Sequence, residues 1–262
     1  MTEGTKSEHR PFTEELVEDH YKNLSENYDD YLLYSPTFIR TLTQKMIQML
    51  DLKQDDVFVD LGGGTGMYTK DILEQVLLKK SAILVDPFAE MLSQAKSHPK
   101  IECKQFDGLA FSTLEGKYDK ILMKEAVHHV QDKDLLFHNL FERLSPGGRL
   151  LLVHVPPELD YPLFKKALER VRNWHADPED LNQTLKDAGF QVKHEYLKYR
   201  HSIPKEKYIN MVRTGYMTVL SSFSDEEIEE GIEEMEIKLV GKEILEFEDH
   251  FDFIVAWKPE IV

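Results

Sequence analysis

The sequence predicts an α/β fold, a doubly wound and mostly parallel sheet of seven strands with helices on both faces. Between residues 55 and 155, short apolar runs alternate with helix-length segments, as parallel strands joined by crossover connections require. A glycine-rich turn follows the first run, and glycine and proline punctuate the later changes of pattern. The 262 residues suffice for one such sheet with attached helices.

The elements follow from the apolar patterning. Strands are predicted over residues 57–61, 81–86, 101–106, 119–124, 149–155, from about Phe190, and from Phe251 to Lys258. Helices are predicted over residues 13–32, 36–50, 65–77, 88–96, 133–144, 157–175, 178–188, 204–221 and 224–240. We interpret residues 1–262 as one domain. It consists of N-terminal helices (13–50), a core (55–155), a helical lid with the sixth strand (156–246) and the last strand (247–258).

Composition restricts the class of partner. The 48 acidic residues exceed the 32 basic ones, giving a net charge of −16, which argues against nucleic acid and anionic membranes as partners. Cys103 is the only cysteine, so neither a disulfide nor a cysteine zinc cluster is expected, and no metal site is predicted. The sequence lacks a secretory signal and a membrane-length apolar run, which predicts a cytoplasmic protein. It does not indicate an oligomeric state.

The most informative segment is the turn Gly62-Gly63-Gly64-Thr65-Gly66, which follows an apolar strand and Asp60. A turn with so few side chains lets backbone amides approach a ligand, and the helix that follows adds its N-terminal amides. The spacing is Gly-x-Gly-x-Gly, whereas the dinucleotide fingerprint is Gly-x-Gly-x-x-Gly. The carboxylate of Asp60 would repel a pyrophosphate and suits a ligand with a cationic amino group.

Two further acidic residues end the next predicted strands. Asp86 lies 20 residues beyond Gly66, where a carboxylate can accept hydrogen bonds from two ribose hydroxyls. Asp107 ends the third strand, where it or its backbone could bind an adenine amino group. The carboxyl ends of parallel strands meet at one edge of the sheet, which is where open α/β sheets bind ligands. Together these residues predict a nucleoside-type site.

Five segments together resemble the class I, Rossmann-like methyltransferases that depend on S-adenosylmethionine. They are Asp60–Gly66, Val85-Asp86, Phe106-Asp107, Tyr118–His129 and Leu144–Leu152. The last two are similar to the branch related to the ubiquinone- and menaquinone-biosynthesis methyltransferases, which contains many small-molecule enzymes. The helix expected near Tyr21 and Tyr28 resembles the entry helix of that branch, in which a tyrosine covers the cofactor.

The resemblance implies a place for each part of S-adenosylmethionine. Asp60 and the 62–66 backbone would hold the methionine moiety, Asp86 the ribose, and Phe106 to Gly108 the adenine. Lys124 and Glu125 would face the sulfonium. The cofactor-binding residues expected on this basis are Tyr21, Tyr28, Asp60, Gly62, Gly64, Thr65, Gly66, Asp86, Pro87, Phe106, Asp107, Gly108, Lys124 and Glu125.

A sulfonium methyl is already an activated electrophile, so the protein must chiefly align the reacting atoms and exclude water. An acceptor that carries a proton also needs a general base, for which the pKa of histidine is suited. His128 and His129 follow the fourth predicted strand and are the main candidates, and His154, at the end of the fifth, is a further one. Trp174 and His175 fall in the lid without an assigned role.

The expected function is methyl transfer from S-adenosylmethionine to an O or N nucleophile of a small molecule. Two alternatives stay open, a protein methyltransferase and a regulatory protein that binds the cofactor without turnover. A nicotinamide dehydrogenase is disfavoured by the glycine spacing and by Asp60. No Asn-Pro-Pro-Tyr-type segment follows the fourth strand, which argues against methylation of nucleic acid bases.

Overall fold

The computed structural model describes residues 35–260. The predicted helix 13–32, with Tyr21 and Tyr28, lies outside the described residues. Helix α1 spans Pro36–Leu50, as predicted, and Pro36 occupies its first turn. The Ser35 hydroxyl accepts a hydrogen bond from the Phe38 amide at 3.2 Å and caps this helix.

Seven strands of the described residues form one sheet. They are β1 (Phe58–Leu61), β2 (Ala82–Asp86), β3 (Ile101–Gln105), β4 (Tyr118–Lys124), β5 (Leu144–His154), β6 (Gln191–Pro204) and β7 (Ile244–Trp257). Their order is β3-β2-β1-β4-β5-β7-β6. Strands β1 to β5 pair in parallel, whereas β7 is antiparallel to both β5 and β6. The predicted doubly wound, mostly parallel sheet is confirmed.

Helices cover both faces of this sheet. After α1 they are α2 (Met67–Gln75), α3 (Ala89–Ser93), α4 (Gly108–Thr113), α5 (Lys133–Arg143), α6 (Lys165–Trp174), α7 (Pro178–Asp187), α8 (Lys205–Arg213) and α9 (Asp225–Lys238). One apolar core joins α1, α2 and α3 to the first face, which we call the α1 face. A second core joins α4, α5 and α7 to the opposite face, the α5 face. None of the helices within residues 35–260 has the length and apolar character to cross a bilayer.

Several predicted boundaries were wrong, each for a local reason. Helix α4 was not predicted at all, although Asp107 caps it by accepting a hydrogen bond from the Ala110 amide at 2.8 Å. The helix predicted over 157–175 begins only at Lys165, because Pro157 and Pro162 disfavour a helix before it. The helix predicted over 204–221 ends at Arg213 and is followed by a 3₁₀ turn, Thr218–Ser222.

The last two strands are longer than predicted. Strand β7 begins at Ile244, before the expected positions 247 and 251, and β6 pairs with it along all 14 of its residues. The outer part of this hairpin carries a third apolar core, formed with α6, α8 and α9. Side chains of these three helices pack on residues of the extended strand such as Leu245 and Phe247.

Packing between α6 and α9 leaves no room for a side chain at Gly231. A Cβ atom there would lie 2.5 Å from two atoms of the Phe164 ring, which is buried. We expect Gly231→Ala to destabilise the fold by roughly 1–3 kcal/mol, because the overpacking outweighs the better helix propensity of alanine. Urea unfolding followed by circular dichroism measures the change. Glu233→Ala, at an exposed position of the same helix, is the control, and equal stability of the two variants would contradict this packing.

Candidate functional site

The glycine turn is fastened to the neighbouring strand. The amides of Gly62 and Gly63 both donate to the carbonyl oxygen of Val85 on β2, at 2.7 and 3.1 Å. Gly62 has a φ of +80°, and a Cβ atom there would lie 2.4 Å from the Cβ of Ala126. Close packing against the segment after β4 therefore explains why this position is glycine.

Asp60 lies beneath this turn and is 2% exposed. The Thr69 hydroxyl, from α2, donates a hydrogen bond to its carboxylate. Burial raises the pKa of Asp60 to about 6. A cationic group placed beside this carboxylate would favour its ionised form, so the site suits the ammonium end of a ligand.

Asp86 stabilises the glycine turn through hydrogen bonds and also lies at the carboxyl edge of the sheet. Its Oδ2 atom accepts a hydrogen bond from the Gly64 amide at 2.9 Å, and its Oδ1 atom accepts one from the Phe88 amide at 3.0 Å. Burial raises the pKa of Asp86 to about 6. Each carboxylate oxygen can accept more than one hydrogen bond, so capacity for ligand hydroxyls remains. Sequence reasoning did not anticipate this structural role.

The two residues that follow β3 are exposed, unlike Asp60 and Asp86. Phe106 is 39% exposed, and Asp107 is exposed beside it while capping α4. Gly108 starts that helix, and Pro87 is exposed at the end of β2. Thr65 is buried in the glycine turn. The fold therefore brings the predicted nucleoside-binding positions of the described chain to the carboxyl edge of β1, β2 and β3.

Lys124 is the last residue of β4, and Glu125 follows it. Lys124 lies on the α1 face, with its Nζ atom 4.7 Å from the Tyr68 ring centroid, and burial lowers its pKa. Glu125 has a φ of +53°, unusual for a residue other than glycine. Its amide donates to the Val153 carbonyl at 2.8 Å, and its carboxylate accepts from the Val155 amide at 2.7 Å. These two bonds hold a strained backbone at the strand end.

The predicted histidine pair lies in a 3₁₀ turn, Val127–His129, directly after Glu125. The His128 and His129 rings are 4.2 Å apart, and Trp174 makes edge contacts to them at 4.8 and 5.4 Å. The His175 ring stacks on His128 at 5.1 Å. The lid thus contributes an aromatic and an imidazole to the pair, which sequence reasoning had not assigned.

His154 joins this group through a shared carbonyl. The Nδ1 atoms of His154 and His175 lie 3.1 and 3.0 Å from the carbonyl oxygen of Val155. Burial lowers the pKa of His154, lowers that of His129 to about 4, and lowers that of His128 well below its usual value. All three imidazoles are therefore neutral at pH 7. In the described part of the chain, no three or more His, Cys, Asp or Glu side chains are arranged to bind a metal ion.

A buried network of polar side chains lies on the α1 face, around Asp249. Asp249 of β7 accepts hydrogen bonds from the Tyr161 hydroxyl and, at 2.9 Å, from His201 Nε2. Burial raises the pKa of Asp249 to about 7 and lowers that of His201 to about 4. Tyr161 belongs to the segment between β5 and α6, so this network joins the lid to the sheet.

Comparison with known proteins identifies the family to which the chain belongs. Residues 31–195 match the profile of a family described as "Methyltransferase domain". The chain belongs to this family. Its enzymes use S-adenosylmethionine as the methyl donor, so the resemblance found in the sequence and the expected cofactor are confirmed.

The chain is similar in sequence to characterised methyltransferases at low identity. Over 237 residues it is 26% identical to phosphoethanolamine N-methyltransferase 3 of Arabidopsis thaliana, covering 84% of this chain and 42% of that protein. It is 24% identical over 172 residues to the ubiquinone/menaquinone biosynthesis C-methyltransferase UbiE of Escherichia coli, covering 53% of this chain and 68% of that protein. The chain thus spans less than half the length of the plant relative.

Solved structures share the fold. The YcgJ protein of Bacillus subtilis superposes with a TM-score of 0.60 at 16% identity, covering 84% of this chain and 98% of that one. A Haemonchus contortus phosphoethanolamine N-methyltransferase 2, in complex with phosphomonomethylethanolamine and S-adenosylhomocysteine, superposes with a TM-score of 0.59 at 16% identity. That match covers 96% of this chain and 61% of the other. At such identities the likeness concerns the fold.

The two hydrogen bonds of Asp86 lead to a prediction about the protein without cofactor. Asp86→Ala leaves the amides of Gly64 and Phe88 without their acceptor, and we expect a loss of about 1–3 kcal/mol of unfolding free energy. Chemical denaturation in the absence of S-adenosylmethionine measures it. The control is Glu90→Ala, which removes an exposed carboxylate from the next helix. Unchanged stability of Asp86→Ala would show that these bonds do not hold the turn.

Proposed function

We propose that this methyltransferase transfers the methyl group of S-adenosylmethionine to an O or N nucleophile of a small molecule. The observation that carries the proposal is the neutral pair His128 and His129, enclosed by Trp174 directly beyond the end of β4. A neutral imidazole can accept a proton, and a partly enclosed site suits a small acceptor better than an open groove would.

The described residues fit the cofactor along the sheet edge. The buried carboxylate of Asp60 matches the cationic amino group of the methionine moiety, and the backbone of 62–66 lies beside it. Asp86 would receive the ribose hydroxyls with its remaining lone pairs. The exposed Phe106 ring and the backbone of Asp107 and Gly108 would contact the adenine. Thr65 and Pro87 would support the turn and the β2 end, respectively.

The end of β4 is proposed to border the sulfonium. S-adenosylmethionine supplies an electrophilic methyl group on a positively charged sulfur. Glu125 is held rigidly by its bonds to Val153 and Val155, so its carboxylate offers fixed negative charge at that point. Lys124 lies on the α1 face, close to the carboxylates of Asp60 and Asp249. Tyr21 and Tyr28 remain predicted contributors to the cofactor site.

The protein has to align the acceptor with the methyl group and to remove one proton from the acceptor. Trp174 and the histidine rings would hold the acceptor so that its lone pair points at the methyl carbon. His129 or His128 would take the proton that the nucleophile loses, since burial keeps both imidazoles neutral. His154, which shares the Val155 carbonyl with His175, is a further candidate for the base.

The names of the relatives support a small acceptor. The plant relatives are named for phosphoethanolamine and the bacterial one for ubiquinone and menaquinone. The net charge of −16 also disfavours nucleic acid. Cytoplasmic location and the lack of a membrane partner remain predictions.

Radiolabelled S-adenosylmethionine incubated with fractionated cell extract tests the proposal. Label in a low-molecular-mass product, together with S-adenosylhomocysteine formation, is the expected result. Label only in protein would indicate a protein methyltransferase instead. Cofactor binding without transfer to any fraction would indicate a binding protein and contradict the proposal.

Cofactor binding should depend on pH through Asp60 and Asp86. Their pKa values of about 6 mean that both carboxylates become protonated as pH falls through that value. A cationic cofactor binds the ionised form, so affinity should be constant above pH 7 and fall by at least about tenfold at pH 5. Calorimetry across this range measures it. In Asp60→Asn the affinity should be lower at pH 7 and its pH dependence weaker, and an unchanged curve would refute the assignment.

Replacing the histidine pair should affect turnover and leave cofactor binding intact. We expect His128→Gln or His129→Gln to lower kcat by about 10²–10⁴-fold in whichever case removes the base. The dissociation constant of S-adenosylmethionine should change little. His98→Gln, outside the site, is the control. Wild-type turnover in both variants would place the base elsewhere or show that none is needed.

A further inference from the structure

Within residues 35–260, three of the buried polar atoms that lack a hydrogen-bond partner belong to the segment after β4, to β5 and to β7. They are His128 Nδ1, His154 Nε2 and Asp252 Oδ2. His154 and Asp252 are each 2% exposed and lie directly opposite each other in the β5–β7 pairing. Side chains opposite each other in an antiparallel pair point to the same face with their Cβ atoms about 5 Å apart. The side chains of His154 and Asp252 are therefore neighbours on this face.

The protonation of His154 follows from its other nitrogen. Its Nδ1 lies 3.1 Å from the Val155 carbonyl oxygen, which can only accept, so Nδ1 carries the proton. Burial lowers the pKa of this histidine, so the ring is neutral and Nε2 presents a lone pair. The Asp252 Oδ1 atom accepts from His194 Nε2 at 2.6 Å, whereas Oδ2 has no donor in the described residues.

Two buried hydrogen-bond acceptors thus lie on the same face of the sheet without a donor in the described residues. Leaving each unsatisfied costs about 1–3 kcal/mol, so the arrangement favours a ligand that donates to both. Burial has the largest effect on the pKa of His154 and lowers it, whereas the carboxylates of Glu125 and Asp252 act in the opposite direction and attract a positive charge. His175 shares the Val155 carbonyl with His154 and stacks on His128, so it connects these acceptors to the histidine pair.

We propose that His154 Nε2 and Asp252 Oδ2 form a subsite for an ammonium group of the methyl acceptor. The inference rests on the proposed function, since it names the class of acceptor for the same pocket. An ammonium group donates several hydrogen bonds and carries the charge that two carboxylates attract. The imidazole of His175, which shares the Val155 carbonyl with His154, and the His128 ring stacked on it would contact the alkyl substituents of the ammonium group. The subsite selects amines over neutral molecules of the same size.

The test uses ethanolamine as the probe and ethylene glycol as its neutral counterpart. Both are titrated into the full-length protein loaded with S-adenosylhomocysteine, and the imidazole nitrogen signals are followed by ¹⁵N NMR. We expect saturable binding of ethanolamine that shifts the His154 Nε2 signal, and no saturable binding of ethylene glycol.

Two variants make the assignment specific. Asp252→Asn keeps the shape of the side chain and removes the charge, and it should weaken ethanolamine binding at least tenfold. Glu248→Gln is the matched control, because Glu248 is an exposed carboxylate on the same strand and the same face, and its affinity should remain within threefold of the wild type. If Asp252→Asn does not fold, His154→Phe takes its place, with the same expected loss.

Three results would overturn the subsite. They are no saturable ethanolamine binding, equal binding of ethylene glycol, and wild-type affinity in the folded Asp252→Asn protein. The fate of the proposed function is separate, because methyl transfer to some acceptor could persist in any of these cases. Conversely, tight ethanolamine binding without methyl transfer to any fraction would keep the subsite and remove the proposed function.

Discussion

The carboxylate of Asp86 is the contact on which the ligand edge depends. It accepts hydrogen bonds from the amides of Gly64 and Phe88, so one buried side chain fixes both the glycine turn and the exit from β2. The Val85 carbonyl, one residue earlier, holds the start of the same turn. The amides proposed to meet the cofactor are therefore positioned before any ligand arrives, which lowers the entropic cost of binding.

The two faces of the sheet differ in the charge of their buried side chains near the end of β4. On the α1 face, Lys124 lies near the carboxylates of Asp60 and Asp249, so charges compensate one another. On the α5 face, the imidazoles are neutral and make ring contacts with Trp174. Burial keeps protons off these nitrogens, and the same burial leaves their lone pairs available. The charged Lys124 and the proton-accepting imidazoles of His128 and His129 thus lie on opposite faces of the sheet at the end of β4.

The sequence was sufficient wherever local patterning decides the structure. The apolar run before Asp60, the glycine turn and Pro36 at a helix start are local signals, and the fold has them where they were predicted. Two misses were also local and could have been avoided. Pro162 disfavours a helix through residues 157–164, and Asp107 three residues before Ala110 is an N-cap signal that was used only as a ligand contact.

Other features could not be found in the sequence, because they depend on pairing between distant segments. His175 reaches His128 only through the position of α6, and Asp252 faces His154 only through the register of β7 on β5. Neither residue stands out in its own segment. The double use of Asp86 likewise depends on two backbone amides that no side-chain pattern reveals.

The unbroken pairing of β6 with β7 has a mechanical consequence. The outer part of the hairpin carries the lid core, while the inner part of β7 lies against β5 and holds Asp252 opposite His154. A hairpin paired along its whole length transmits bending instead of absorbing it at a hinge. A shift of the lid helices would therefore also shift the pairing of β7 with β5. Substitutions in the distant helical core would then alter turnover without contacting any reacting group.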